Sequence, residues 1–369
     1  MKIGIDLLWV RPGKCGGTES YTRNLLTGFG TYDDKNEYIL FAAKDNASTF
    51  TEYTKLKQNN ITIKECPVNC AVQWKRILWE NLNIDRYAKD EKIDKMFIPV
   101  YSKPLSFSKK MKYITVIHDV QALHYPEYFS FVKKLFLKYK WKYACKTSSK
   151  VVTISDYCKE DLITRYPYVK DRILTIYDPI ISDAEVADFD SIAGRLKITK
   201  GEYYYCVSSV LPHKNLNTVL KVLAELKKEE SPLLKPLVLS GVGGRQQELE
   251  ALVDELGISE YVICTGFVKD AERDSLYENC KLFLFPSIFE GFGMPPIEAM
   301  RKGKNVVMTK KSCLMEVTGG KAVYVDDPYD VKEWIEKIEI ASKQPEATET
   351  FEQYNLSVIT EEFVKLFEA

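Results

Sequence analysis

The stretch Ser287–Met300, "SIFEGFGMPPIEAM", sets two glutamates eight positions apart around Gly-Phe-Gly and a Pro-Pro pair. A surface loop has little use for Phe289, Phe292 and Met294 together, and a packed segment has little use for two glycines. Immediately upstream, "KLFLFP" is a short apolar and aromatic run ending at Pro286, which reads as a buried strand. Pro295 and Pro296 suit the first turn of a helix running through "IEAMRKG", and Gly303 suits its C-terminal end. Gly291 and Gly293 then fall in a strand-to-helix loop, where backbone N–H groups and the helix dipole favour an anion. Glu290 lies in that loop and Glu298 inside the helix. Each carboxylate can accept two hydrogen bonds, which suits a hydroxyl-rich ligand. The plainer reading has Glu290 capping the helix and Glu298 in solvent, and it fits such apolar surroundings poorly.

The strand–loop–helix pattern repeats along the chain. In the first half, "KIGIDLLW", "EYILFAA", "ITIKECPV", "KMFIPV", "YITVIHD", "KVVTIS" and "RILTIY" alternate with stretches of helical period such as "ESYTRNLLTGF" and "SDYCKEDLITRY". In the second, "YYYCVSS", "PLVLSG", "YVICTGF", "KLFLFPS", "KNVVMT" and "KAVYVDD" alternate with "NLNTVLKVLAELKKEE", "RQQELEALVDELG" and "AERDSLYENC". Strands alternating with helices imply parallel sheets covered on both faces. At 369 residues the chain exceeds one ordinary core. The expected fold class is therefore α/β, with two Rossmann-like doubly wound domains facing across a ligand cleft. The expected boundaries are 1–180, 181–350 and a final helix, 351–369, that crosses back to the first domain. The join falls in the acidic, strand-poor "DPIISDAEVADFDSIAGRLKITKGE", whose "DFD" triplet, Asp188 to Asp190, reads as solvated charge.

Lys+Arg and Asp+Glu balance at 52 each, which argues against a nucleic-acid partner. Nine cysteines without a signal peptide indicate a reducing cytoplasm. Cys66 and Cys70 lack the companions of a zinc site, so no metal is expected. No apolar run approaches the roughly 20 residues needed to span a bilayer. Membrane contact, if any, would be peripheral at the inner face. "YFSFVKKLFLKYKWKYACK" reads as a packed helix with a solvated basic face, in preference to one lying on an anionic membrane.

Other loops offer chemistry at strand ends. Gly16 and Gly17 precede a helix and suit a phosphate or a sugar, or simply a tight turn. His118 ends an apolar strand beside Asp119, where imidazole can bond a hydroxyl or stabilise developing charge. Lys214 stands just before a helix, placed to neutralise a phosphate, with His213 beside it. Arg245 lies in a second glycine-rich loop. The backbone of Gly266, Phe267 and Val268 can read the edge of a nucleobase.

With these residues placed, the chain resembles a GT-B glycosyltransferase of the retaining glycosyltransferase family 4, the group 1, mannosyltransferase-like enzymes. The resemblance rests on the E-x7-E spacing within "PSIFEGFGMPPIEAMRKGKNVV". "LPHKN", "TGFV", "VIHDVQALHYPEYF", "ISDYCKEDL", "RILTIYDP" and "VDDPYD" support it, in the family's order over nearly the whole chain. It implies a nucleotide-diphosphate sugar donor on the second domain and a glycan or lipid-linked acceptor on the first. It implies catalytic roles for His118, Glu290 and Lys214. Gly16, Gly17, Ser208, His213, Gly266, Phe267, Val268, Gly291, Phe292, Gly293, Met294, Pro295 and Glu298 would bind the donor, with Glu298 on the ribose. It implies no cofactor, retention of anomeric configuration, and GDP-mannose as the first donor to test. The sequence departs from the family where Ser208 replaces an arginine, His213 another arginine, "RKGKNVV" the usual "ACGVPVV" and "YDPI" the usual "YNGV". Two other readings remain: a non-catalytic two-lobed sugar-binding protein, and a GT-B sugar-nucleotide epimerase.

Overall fold

The computed structural model describes residues 1–105, 111–181, 186–243 and 246–369. The chain forms two compact units, Met1–Ile181 with Glu352–Ala369, and Ser182–Phe351. The first holds a parallel sheet of β1 (Lys2–Asp6), β2 (Glu37–Ala43), β3 (Ile61–Cys66), β4 (Lys95–Ile98), β5 (Lys112–Ile117), β6 (Lys150–Thr153) and β7 (Ile173–Thr175). Their spatial order is β3-β2-β1-β4-β5-β6-β7. The second holds β8 (Tyr204–Val207), β9 (Leu237–Ser240), β10 (Val262–Gly266), β11 (Leu282–Phe285), β12 (Val306–Thr309) and β13 (Val323–Val325). Their order is β10-β9-β8-β11-β12-β13, again all parallel.

Strands such as "YYCV", "LVLS" and "LFLF" are almost wholly buried, because helices cover both faces of a parallel sheet. Strand order reverses direction between β1 and β4 in the first unit and between β8 and β11 in the second. At such a switch point the loops leaving two adjacent strands diverge and open a crevice beyond their carboxyl ends. These two points position the residues that follow.

The helix Leu356–Glu368 belongs to the first unit. Phe363 and Phe367 are fully buried there and pack on Phe29 and Phe97, with ring centroids 5.3–6.0 Å apart. Gly28 permits the approach, since a Cβ there would lie 2.1 Å from Thr360 Oγ1. Lys95 Nζ donates to the Phe367 carbonyl at 2.6 Å.

One local expectation gains a detail and another needs correction. The connection after Ile181 contains a helix, Phe189–Leu196, and the Asp188 side chain caps it by accepting from Ser191 N at 3.1 Å. Asp188 and Asp190 are both exposed, as read, and Asp188 also satisfies a helix-start N–H. The helix Phe131–Thr147 packs through Leu137, Trp141, Ala144 and Cys145, yet its outer face is not simply basic. Phe131, Val132, Leu135 and Tyr139 are exposed among its lysines, because both sides of the helix carry apolar residues and only one is packed. Among the described residues, no helix is long and apolar enough to cross a membrane.

Candidate active site

In the second unit, β8 leads through Ser208 to the short turn Pro212–Lys214, and Asn215, at φ 49°, starts the helix Leu216–Lys228. The neighbouring strand β11 leads into Ser287–Gly293 and then the helix Met294–Arg301. Because β8 and β11 are adjacent, their loops meet. Ile288 N donates to the His213 carbonyl at 2.8 Å, and Ser287 Oγ to the same oxygen at 3.2 Å. Lys214 Nζ lies 2.6 Å from Glu290 Oε1, with both side chains largely shielded. The ammonium is therefore held at one point, and a carboxylate is held beside it.

The segment after β12 clamps the glutamate loop. Glu290 N donates to Ser312 Oγ at 3.0 Å, and the Cys313 thiol reaches the carbonyls of Glu290 and Phe292 at 3.3 and 3.2 Å. Phe292 is 2% exposed, so its ring belongs to the core. Gly293 caps the helix start at φ 93° without a side-chain cap, so Glu290 is not the capping group. A Cβ at Gly293 would stand 2.8 Å from Leu314 Cδ2, in a backbone region that L-residues avoid. Gly293→Ala is expected to cost about 1–3 kcal/mol through that conformation and contact. Urea unfolding checks it, and an unchanged midpoint would show that the loop relaxes freely. Met294 and Pro295 form the helix start, half-buried.

Glu298 is partly buried rather than solvated. It accepts from the Tyr277 hydroxyl at 3.0 Å and lies 3.7 Å from Arg273 Nε. Burial pushes its carboxyl above the ordinary range, opposed by Arg273 and by the Tyr277 hydroxyl. Burial disfavours the Arg273 charge too, but Glu298, Tyr277, Asp270 and Asp274 more than offset it. Among the described residues, Arg273 Nε is buried without a hydrogen-bond partner. Arg273, Tyr277, Ser312 and Cys313 escaped the sequence reading. The only trace was the i, i+4 spacing of Arg273 and Tyr277 on the helix Asp270–Asn279.

His213 differs from what its position promised. Burial, reinforced by Lys214 and opposed by Glu290, pushes its imidazole down to about 4. It is neutral at pH 7, leaving Lys214 as the cation of this turn. Ser208 N donates to the Ser240 carbonyl at 3.0 Å, continuing the β8–β9 ladder. Gly266, at φ 69°, ends β10, and its carbonyl accepts from Gly241 N at 2.8 Å. Phe267 is 80% exposed, and a Cβ at Gly243 would lie 2.2 Å from its ring. The ring thus lies over the glycine loop as an open apolar platform, with Val268 half-buried next to it. Arg245 lies outside the described residues.

In the first unit, Gly16, at φ 59°, precedes the helix Gly17–Tyr32, and a Cβ at Gly16 would meet nothing within 4 Å. Glu19 steadies this loop by accepting from Gly13 N and Arg23 Nε, each at 3.0 Å. His118 follows β5 and is 9% exposed. Its Nε2 lies 2.8 Å from the Pro99 carbonyl, which can only accept, so Nε2 carries the proton and Nδ1 the lone pair. Tyr21 meets the ring edge-on at 4.7 Å. Burial, partly opposed by the Pro99 bond, pushes the imidazole down to about 4. At neutral pH His118 can accept from a hydroxyl but does not stabilise charge as an imidazolium.

Two parallel-sheet α/β units, each with a switch point in its strand order, have the architecture of the GT-B class of glycosyltransferase fold. The chain belongs to the group 1 glycosyltransferases: the model "Glycosyl transferases group 1" matches residues 188–357, and "Glycosyltransferase Family 4" matches residues 15–183. It is 29% identical over 238 residues to O-antigen chain mannosyltransferase RfbU of Salmonella typhimurium, covering 64% of this chain and 63% of that protein. It is 28% identical over 222 residues to O-antigen chain mannosyltransferase B of Escherichia coli, covering 59% and 58%. The matches thus span about three fifths of these relatives. Among solved structures, sucrose-phosphate synthase from Thermosynechococcus elongatus superposes with a TM-score of 0.77 at 15% identity, covering 100% of this chain and 98% of that one. Anabaena HepE in complex with UDP and glucose superposes at 0.72 with 18% identity, covering 100% and 99%. At these identities the likeness is one of fold.

Proposed function

We propose that this chain is a retaining glycosyltransferase that moves mannose from GDP-mannose to a glycan or lipid-linked acceptor in polysaccharide assembly. The observation that carries the reading is the Lys214–Glu290 pair at the β8/β11 switch point, beside the helix start at Met294. A donor diphosphate entering there would share the Lys214 ammonium with Glu290 and meet the backbone from Gly291 to Met294 at the positive end of the helix, since Pro295 and Pro296 carry no N–H. Glu290 then turns its carboxylate to sugar hydroxyls, and the backbone from Gly291 to Met294 holds the distal phosphate. Glu298, steadied by Tyr277 and Arg273, suits a ribose hydroxyl, and the Phe267 ring suits a base. Gly16 and Gly17 suit a phosphate oxygen, and Nδ1 of His118 suits a sugar hydroxyl.

In the proposed reaction the acceptor oxygen bonds to the anomeric carbon as the bond from that carbon to the diphosphate oxygen breaks. The diphosphate leaves with the electron pair and, on the same face, takes the acceptor proton. Its charge is met by Lys214 and the amides from Gly291 to Met294, preorganised as for an oxyanion, without a metal. The names of the two mannosyltransferase relatives support mannose over other hexoses.

The test is a panel of GDP-mannose, UDP-glucose, UDP-N-acetylglucosamine and dTDP-rhamnose, read by thermal shift and by donor hydrolysis, with and without EDTA. GDP-mannose is expected to raise Tm most and to be turned over, with EDTA making no difference. No response to any donor would sink the reading. Binding without turnover would point to a sugar-binding protein, and an isomerised nucleotide sugar to an epimerase.

A further inference from the structure

Three side chains at and beyond the end of β12 grip the glutamate loop by its backbone. Thr309, fully buried, donates its hydroxyl to the Ser287 carbonyl at 2.5 Å. Ser312 Oγ accepts from Glu290 N at 3.0 Å, and Ser312 itself stands at φ 52°. A residue with a side chain stays in that left-handed region where its surroundings fix it. Cys313, also fully buried, precedes the short helix Leu314–Val317. Its Sγ lies 3.3 Å from the Glu290 carbonyl and 3.2 Å from the Phe292 carbonyl. A thiol carries one proton and is a weak donor, so one carbonyl would satisfy it. Here two carbonyls of the same loop converge on it.

That convergence also fixes the other side of each peptide. In a trans peptide the C=O and the N–H of the next residue point in opposite directions. The peptides joining Glu290 to Gly291 and Phe292 to Gly293 are both trans. With their carbonyls drawn inward to Cys313, the N–H bonds of Gly291 and Gly293 are turned to the opposite side, away from the sulfur. A Cβ at Gly293 would lie 3.9 Å from Glu290 Cγ, so the Gly293 backbone stands next to the side chain that pairs with Lys214. Nearby amides aimed the same way make a concavity suited to an anion. The direction of these amides is therefore set from behind, by a residue that follows a different strand.

We propose that Cys313 is a positioning residue for the distal phosphate of the donor: by turning the Glu290 and Phe292 carbonyls inward, it aims the loop amides, Gly293 foremost, at that phosphate. This deepens the glycosyltransferase reading and rests on it. The test measures the affinities of GDP and GMP, and of UDP and UMP, for the full chain and for Cys313→Ala, Cys313→Val and Cys313→Ser, with a melting curve for each variant. The valine fills the place of the thiol without a donor, so the question stays open to test if the alanine cavity loosens the fold. In the parent protein the preferred diphosphate is expected to bind about tenfold more tightly than its monophosphate, the worth of one charge-assisted hydrogen bond. Cys313→Ala and Cys313→Val are expected to bring the pair within about threefold of each other, by weakening the diphosphate and sparing the monophosphate. Cys313→Ser, which restores a donor at the same place, is expected to keep the preference. An undiminished preference for the diphosphate in folded Cys313→Ala or Cys313→Val would overturn the proposal. So would equal losses of monophosphate and diphosphate, because a general loosening of the loop spares no part of the ligand. A parent protein that binds neither diphosphate would overturn the donor reading itself, and this proposal with it.

Discussion

Lys214→Ala is expected to lower turnover by about 10²–10³-fold, the range seen when one preorganised donor to a developing anion is lost. Two effects act together. The ammonium that meets the leaving diphosphate disappears, and the carboxylate of Glu290, 2.6 Å away in the parent protein, is left to repel the incoming phosphate. The second effect makes the pair non-additive: Lys214→Ala combined with Glu290→Gln should lose less than the product of the two single losses. Lys214→Arg is not expected to rescue, because the planar guanidinium cannot occupy the point position of the ammonium between the turn and Glu290. The measurement is kcat with the best donor of the panel, alongside a melting curve for each variant. Near-parental turnover in folded Lys214→Ala would remove this lysine from the reaction.

Acidification is expected to destabilise the first unit through His118. In the unfolded chain the imidazole titrates near 6.5, whereas burial holds it at about 4 in the folded protein. Between those values the unfolded state binds the proton and the folded state does not, so stability falls as pH drops through that window. At about 1.4 kcal/mol per pH unit, the full interval is worth about 3 kcal/mol, complete near pH 4. His213 pushes in the same direction in the second unit. Urea midpoints from pH 7 to 4 check this against His118→Gln, which keeps an N–H donor for the Pro99 carbonyl without the titration. The variant should show a shallower fall. Parallel curves would mean that the imidazole is less shielded than its 9% exposure indicates.

Much of this was legible in the residues because parallel strands advertise themselves. "LFLF" and "LVLS" are continuous apolar runs, since both their faces are covered. The Pro-Pro pair marked a helix start, and Lys214 stood where a helix begins. What the sequence withheld depends on neighbours in space. The Lys214–Glu290 pair exists because β8 and β11 lie side by side, 76 residues apart in the chain. Arg273 and Tyr277 sit in an ordinary-looking amphipathic helix until Glu298 is placed against them. The neutral state of His213 follows from burial, which its letter does not carry. Likewise, the outer face of Phe131–Thr147 read as a solvated basic face, because which of its apolar residues are packed depends on the side the sheet covers.

The placement of Leu356–Glu368 bears on how the chain is built in the cell. Domains usually mature in the order they leave the ribosome. Here the first unit lacks Phe363 and Phe367, which pack on Phe29 and Phe97, until residue 356 onward has been translated. Residues 182–351 are all synthesised before that helix exists. The later half of the gene product can therefore finish first, while the earlier half waits with an uncovered aromatic cleft beside Gly28. Nascent chains stalled near residue 350 would pair a complete second unit with an unfinished first one.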